Sequence, residues 1–346
     1  MTGDAGRPGI TGLATYVPEG RTTSAEIADA SGLPEWVVRD KLGLHAKPAP
    51  GADDHPNAMG VHAARTALAR AGVSAEDVDV VISITEEYKE YPVWTAGIKL
   101  AYDVGAHRAY AYDLGQKCGT AVLALKQARD LLVADPDVDV VLVAGGYRNG
   151  DLVDLRDASV RFMYGLGAGG AAAVVQRGAG HAVLASHVIT DGSFSLDVLV
   201  PVGGTMERLT AANAERFRLQ VADPAGMKAR LEGRSLDNFV AVVREAVRKA
   251  GATIDDVAYV AMLHVKPSAH TYLLDQLGIA HDRSIYLSDY GHLGQVDQLL
   301  SLELAAQAGR LREGDLVVLV AAGVGYVWNA LCLRWAGAGT AGERAP

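Results

Sequence analysis

Two stretches of this chain repeat each other. "AGVSAEDVDVVISITEE" (71–87) and "AGATIDDVAYVAMLHVK" (250–266) share a glycine break, an acidic turn and a Val-rich run, each after an Ala-rich helical pattern. Further along, "VDVVLVAGGY" (138–147) pairs with "GDLVVLVAAG" (314–323) at nearly the same offset of roughly 178 residues. A chain built this way folds as two equivalent halves, here read as 1–178 and 179–346. In each half a strand leads through a loop to a helix and then to a continuous apolar run. Such runs are buried on both faces, as in sheets covered by helices, and the alternation of strand and helix predicts an α/β fold.

Composition bounds the function. The chain has 346 residues, of which 49% are hydrophobic and 21% charged, enough to bury a large core. A net charge of −9 argues against nucleic acid as a partner, since binding a phosphate backbone needs a basic patch. No stretch approaches the roughly 20 apolar residues of a membrane span, and "MTGDAGRPGI" lacks a signal pattern, so the chain reads as cytoplasmic and without a membrane partner. Its two cysteines, Cys118 and Cys332, have no paired spacing and fit a reducing compartment. The glycines cluster in tight apolar loops such as "YGLGAGGAAAVV" and "AAGVGYVW". "GLGAGG" runs into a strand-like segment where a dinucleotide site requires a helix, which excludes an NAD fingerprint.

The repeat places the first cysteine. In the first half, the helix between the matched strands begins at Cys118 and carries Val122, Leu125, Ala128, Leu131 and Leu132 at helical spacing. Its counterpart begins near "YGHLGQVDQLLSLELAAQAGRL", which sets His292 at the corresponding helix start, and His264 ends the matched strand of the second half. A pseudo-twofold would bring the three together. The positive end of a helix favours thiolate over thiol, and Gly119 lets a chain or substrate approach the backbone N–H groups. Cys118 is therefore read as a nucleophile, and Cys332, alternating within a late strand, as core.

Order and spacing of motifs over essentially the whole chain resemble ketoacyl-ACP synthase III and the thiolase-like condensing enzymes. The opening "ITGLATYVPEGRTTSAEIADASGLPEWVVRDKLGL" is similar to that family's start, "GLGAGGAAAVV" to its "G-D-G-A-G-A" loop, and "AAGVGYVW" to its C-terminal glycine turn. The resemblance implies a five-layered αβαβα fold of two duplicated halves, a homodimer, coenzyme A or acyl carrier protein thioesters as substrates, and no further cofactor or metal. It makes Cys118 the acyl acceptor and His264 the histidine of "P-H-Q-A-N". The backbone of Cys118 and the turn at Val324 and Gly325 would hold the oxyanion. Trp36 and Arg39 match the region that stacks on and pairs with coenzyme A, the basic residue being displaced by one position. Arg148 is a phosphate candidate by charge alone.

Two departures from the family stand out. His292 occupies the place of the family's asparagine in "G-N-T"; an imidazole can donate one hydrogen bond as asparagine does, or act as a base. In "ITEEYKEYPVW", Glu86, with Glu87 one register away, falls where 3-hydroxy-3-methylglutaryl-CoA synthases carry a general-base glutamate, and a solvated acidic loop is the plain alternative. The function expected is acyl transfer through Cys118, Claisen condensation foremost. A 3-hydroxy-3-methylglutaryl-type synthase and a non-catalytic partner subunit are the alternatives. Asp151, Asp154 and Asp157 read as turn and capping residues, and the remaining histidines as surface or capping residues.

Overall fold

The computed structural model describes residues 6–232 and 234–337. Nine strands form one continuous array: β1 (Gly9–Tyr16), β4 (Val80–Ser83), β5 (Tyr110–Asp113), β6 (Val140–Tyr147), β7 (Gly169–Gln176), β8 (His181–Thr190), β11 (Val257–Met262), β12 (Leu316–Gly323) and β13 (Val327–Arg334). Two short pairs lie outside it, β2 (Gly20–Thr23) with β3 (Ala46–Ala49), and β9 (Val198–Leu199) with β10 (Gln220–Val221). The helices are α1 (Ser24–Ser31), α2 (Pro56–Ala71), α3 (Ala96–Val104), α4 (Thr120–Ala134), α5 (Pro224–Leu231), α6 (Arg234–Lys249), α7 (Pro267–Leu277) and α8 (Asp297–Gln307).

The array divides at its middle. The order β1-β7-β6-β4-β5 runs to one side and β8-β13-β12-β11 to the other, joined where Gly9 and Ile10 of β1 meet Ala182 and His181 of β8. Each side steps outward through two antiparallel pairings and then a parallel one. On the first side β5 adds a further parallel strand. At the equivalent place on the second side, Ser284 and Ile285 reach the β11 strand through Ser284 Oγ to the Val260 carbonyl and the Ile285 N–H to the Tyr259 hydroxyl.

Helices α2 and α3 cover the outer face of the first sheet, α6 covers the outer face of the second with α7 packed against it, and α4 and α8 lie between the sheets touching both. The layers thus alternate α, β, α, β, α. Strands β6 and β7 are buried almost end to end, as their unbroken apolar runs require. Helix α8 is enclosed on nearly all sides, so its polar residues need internal partners. Ser301 exchanges a hydrogen bond with the Tyr259 hydroxyl, and the Glu303 carboxylate accepts from Thr15 and Arg70.

Close approach of α2 to the sheet depends on missing side chains. A Cβ on Gly60 would lie 2.6 Å from the Gly145 backbone, and one on Gly146 would lie 2.1 Å from the Pro56 carbonyl oxygen. Gly60→Ala is therefore expected to overpack this interface and lower stability by about 1–3 kcal/mol, read as a lower urea midpoint at unchanged slope.

Candidate active site

Cys118 does not open the α-helix itself. The chain leaves β5, turns through Lys117 at φ +53° and makes a 3-10 turn over Lys117–Gly119 before α4 begins at Thr120. A non-glycine residue in the left-handed region is uncommon and must be held there by its surroundings. Thr120 Oγ1 accepts from the Gln116 N–H (2.8 Å) and donates to the Lys117 carbonyl (2.6 Å). From β13 in the other half, Asn329 Nδ2 donates to Gln116 Oε1 and to the Gly119 carbonyl, both at 2.8 Å. A Cβ on Gly119 would lie 2.7 Å from that same nitrogen, so the glycine makes room for Asn329. Gly323, at the end of β12, sits against the turn: a Cβ there would lie 3.1 Å from the Cys118 backbone nitrogen. Val324 and Gly325 follow in the same segment.

His292 is delivered from the second half and fixed by the first. Its N–H donates to the Gly165 carbonyl (2.8 Å) and its carbonyl accepts from the Gly167 N–H (3.0 Å), so the glycine-rich loop serves as its backbone partner. The ring then spans two groups. Nε2 lies 3.1 Å from Cys118 Sγ, and Nδ1 lies 2.5 Å from Asp297 Oδ2. Asp297, at the start of α8 and fully buried, also accepts from the N–H groups of His264 (2.8 Å) and Leu293 (2.7 Å). Burial opposes a charge on His292, but the Asp297 carboxylate, the Cys118 sulfur and the hydrogen bonds to both outweigh it and hold its pKa well above the ordinary value.

His264 shares the entrance with His292 but bonds elsewhere. Leu42, Leu44, Arg161, Phe162 and Lys266 line that entrance with them. The Tyr286 hydroxyl donates to the Val265 carbonyl (2.8 Å), so the contact between Tyr286 and His264 Nε2 (3.2 Å) uses the ring's proton, which also faces the Gly43 carbonyl (3.2 Å). The N–H is thus committed inside the protein. Burial lowers the His264 pKa to about 4, leaving a neutral ring.

Glu86 and Glu87 part company. Glu87 is exposed and pairs with Lys117 (2.6 Å). Glu86 is 5% exposed; its Oε2 accepts from Asn149 Nδ2 (3.2 Å) and its Oε1 has no partner. Burial, opposed by Lys117 and assisted by Glu87, raises its pKa to about 7.

Other sequence expectations are redistributed. Trp36 is exposed, and the exposed Arg39 pairs with Asp40, shortly before the entrance residues Leu42 and Leu44. Arg148 is not a free phosphate ligand: its guanidinium bonds Asp151 and the carbonyls of Gly51 and Asp54, tying two loops together. His181, stacked on Trp335 at 3.5 Å, and His270, buried against Tyr286, are packing residues where the sequence pointed to surface or capping roles. Cys332 lies fully buried in β13. Asp154 pairs with Arg156 and Arg218, and Asp157 caps Ser159. Asp297 and the entrance residues Arg161, Phe162 and Lys266 escaped sequence reasoning. The one available signal for Asp297 was an acidic residue five positions after His292, and acidic residues are ordinary in a helix's first turn.

Comparison with known proteins bears on this geometry. The model of the 3-oxoacyl-[acyl-carrier-protein] synthase III family matches residues 112–192, and the model of that family's C-terminal region matches 247–335. The β-ketoacyl-[acyl-carrier-protein] synthase III of Symbiobacterium thermophilum is 29% identical over 337 residues, covering 94% of this chain and 98% of that protein. In both halves the chain is similar to the 3-oxoacyl-ACP synthase III family. The solved synthase III of Thermus thermophilus superposes with a TM-score of 0.82 at 25% identity, covering 95% of this chain and all of that one. OleA from Xanthomonas campestris, with bound lauric acid and lauroyl-CoA, shares the fold (TM-score 0.80, 18% identity, 95% and 99% covered). The fold is thiolase-like, and the enzyme is an acyltransferase of the condensing type.

The raised His292 pKa gives a signed expectation. Its ion pair with Asp297 stabilises the fold fully below the unfolded value of 6.5 and is lost as pH rises through the raised folded value. The stability gap between wild type and Asp297→Asn, measured by urea unfolding, is expected to be largest at or below pH 6.5 and to narrow on the alkaline side.

Proposed function

We propose that Cys118 carries the acyl group of a coenzyme A or acyl carrier protein thioester and that His292, held by Asp297, moves the protons of both half-reactions. The observation that carries this reading is the 3.1 Å approach of His292 Nε2 to Cys118 Sγ with Nδ1 anchored on a buried carboxylate. With the thiol proton already on the His292 ring, the Cys118 thiolate attacks the thioester carbonyl and the imidazolium then gives that proton to the departing thiol. Backbone N–H groups of Cys118 and of the turn at Val324 and Gly325 stabilise the oxyanion. Trp36 and Arg39 contact the thioester's coenzyme A portion at the entrance. In the second half-reaction His292 removes a proton from the acceptor. From the α-carbon of a second thioester this gives a new C–C bond, and from a hydroxyl or amine an ester or amide. Because the His264 N–H is committed to Gly43 and Tyr286, this half-reaction runs on base catalysis, with His264 presenting the lone pair of Nδ1 to the acceptor.

Intact-protein and peptide mass spectrometry after incubation with acetyl-CoA tests this. An acyl adduct on the Cys118 peptide is expected, absent in Cys118→Ala and formed about 10²–10⁴-fold more slowly in His292→Ala. Adducts elsewhere, or unchanged rates without the imidazole, would remove the proposal.

The burial of Glu86 supports a second reading, 3-hydroxy-3-methylglutaryl-type condensation with Glu86 as the base. It requires turnover of acetyl-CoA with acetoacetyl-CoA that is lost in Glu86→Gln. For either chemistry we read the enzyme as a cytoplasmic homodimer, supported by the exposed apolar side chains of Tyr91, Val93, Ile98 and Tyr102 around α3. The intact relay argues against a non-catalytic partner role.

A further inference from the structure

Beside His292 lies a polar wall that the relay does not use. It consists of Glu86, just beyond the end of β4, and Tyr147 and Asn149, at and just beyond the end of β6. The segment that carries His292 also sets this wall in place: Gln295 Nε2 donates to the Ile84 carbonyl (2.6 Å) and the Gly146 carbonyl (3.0 Å), pinning both strand ends. The Tyr147 ring lies 6.2 Å from the His292 ring, and a Cβ on Gly294 would lie 2.3 Å from it. His292 therefore borders both the entrance, which it lines, and this wall.

Two acceptor atoms of this wall are open. Glu86 Oε1 and Asn149 Oδ1 are both buried and unpartnered, although their neighbouring atoms bond each other. Buried acceptors normally find a donor, and when Glu86 is ionised the two left open side by side, one on a carboxyl that is 5% exposed, are matched by a ligand bringing its own N–H or O–H. An alkyl chain placed there would bury both without compensation.

We infer that the acyl group taken up by Cys118 carries a hydroxyl or amino group within a few bonds of the thioester carbonyl, which donates to Glu86 and Asn149. The substrate class is a hydroxyacyl or aminoacyl thioester rather than a plain alkyl one. The inference rests on the acyl-Cys118 reading and deepens it.

The experiment compares acylation rates of Cys118 by butyryl-CoA, 3-hydroxybutyryl-CoA, propionyl-CoA and 3-aminopropionyl-CoA, followed by intact-protein mass spectrometry. At least one donor-bearing thioester is expected to react tenfold or more faster than its alkyl counterpart, and which of the two does so identifies the donor as hydroxyl or ammonium. Asn149→Leu is expected to shrink that ratio at least threefold; the wild-type comparison stands without it if the variant does not fold. Acylation by all four without preference, or with the alkyl thioesters ahead, overturns the inference and leaves the acyl-Cys118 reading intact. No acylation by any of the four overturns both.

Discussion

A single buried carboxylate organises the centre of this molecule. Asp297 receives the His292 ring, the His264 backbone and the Leu293 backbone, so one side chain at the head of α8 fixes the approach of two separate segments. An isolated carboxylate at this depth would be strongly unfavourable. Three N–H groups and the positive end of a helix make the charge tolerable. The same carboxylate settles the tautomer of His292, because Nδ1 must carry a proton and Nε2 is left to face sulfur. Without it, the ring beside Cys118 would be a buried imidazole drawn toward the neutral state by desolvation, as His264 is.

The duplication makes the meeting possible. Each half carries a central helix preceded by a 3-10 turn, Lys117–Gly119 before α4 and Gly294–Val296 before α8. Both helices lie between the two sheets, so their starting turns converge where the halves meet. Each half then supplies the other's supports. Asn329 of the second half fastens the cysteine turn of the first, while Gly165 and Gly167 of the first hold the histidine segment of the second. Glycine recurs here because backbone must pack against backbone or against a side-chain amide with no Cβ between them.

These supports divide what a sequence reader can see from what only coordinates reveal. The repeat, the alternation of strand and helix and the helix-start position of Cys118 are local or periodic, and they were legible. So was His292, once the halves were aligned. Asp297 was not, because a carboxylate in a first helical turn is common and nothing nearby signals that it faces a histidine. The commitment of the His264 N–H depends on Gly43, far away in the chain, and Arg148 looked free because its partners are backbone carbonyls in another loop. Choosing between Glu86 and Glu87 required knowing which of two adjacent side chains turns inward. A one-residue register step decides that, and both orientations satisfy the local sequence equally well.

The exchange of an amide for an imidazole at position 292 changes more than one hydrogen bond. An asparagine there can only donate to, or accept from, what it meets; its protonation never changes. An imidazole backed by Asp297 takes and returns a proton while its second nitrogen stays bonded, so its position need not shift as its charge does. That property suits a site in which the nucleophilic sulfur and, later, the acceptor each lose a proton at the same place. It also changes the electrostatics of the pocket. Asp297 and Glu86 bring two carboxyl groups near the chargeable His292 ring, with Lys117 opposing Glu86 as well. A second anion developing on an acceptor would meet repulsion from Asp297 unless its proton had already passed to His292. Proton removal and bond formation are therefore coupled at this centre, and the coupling comes from the carboxylate at the head of α8.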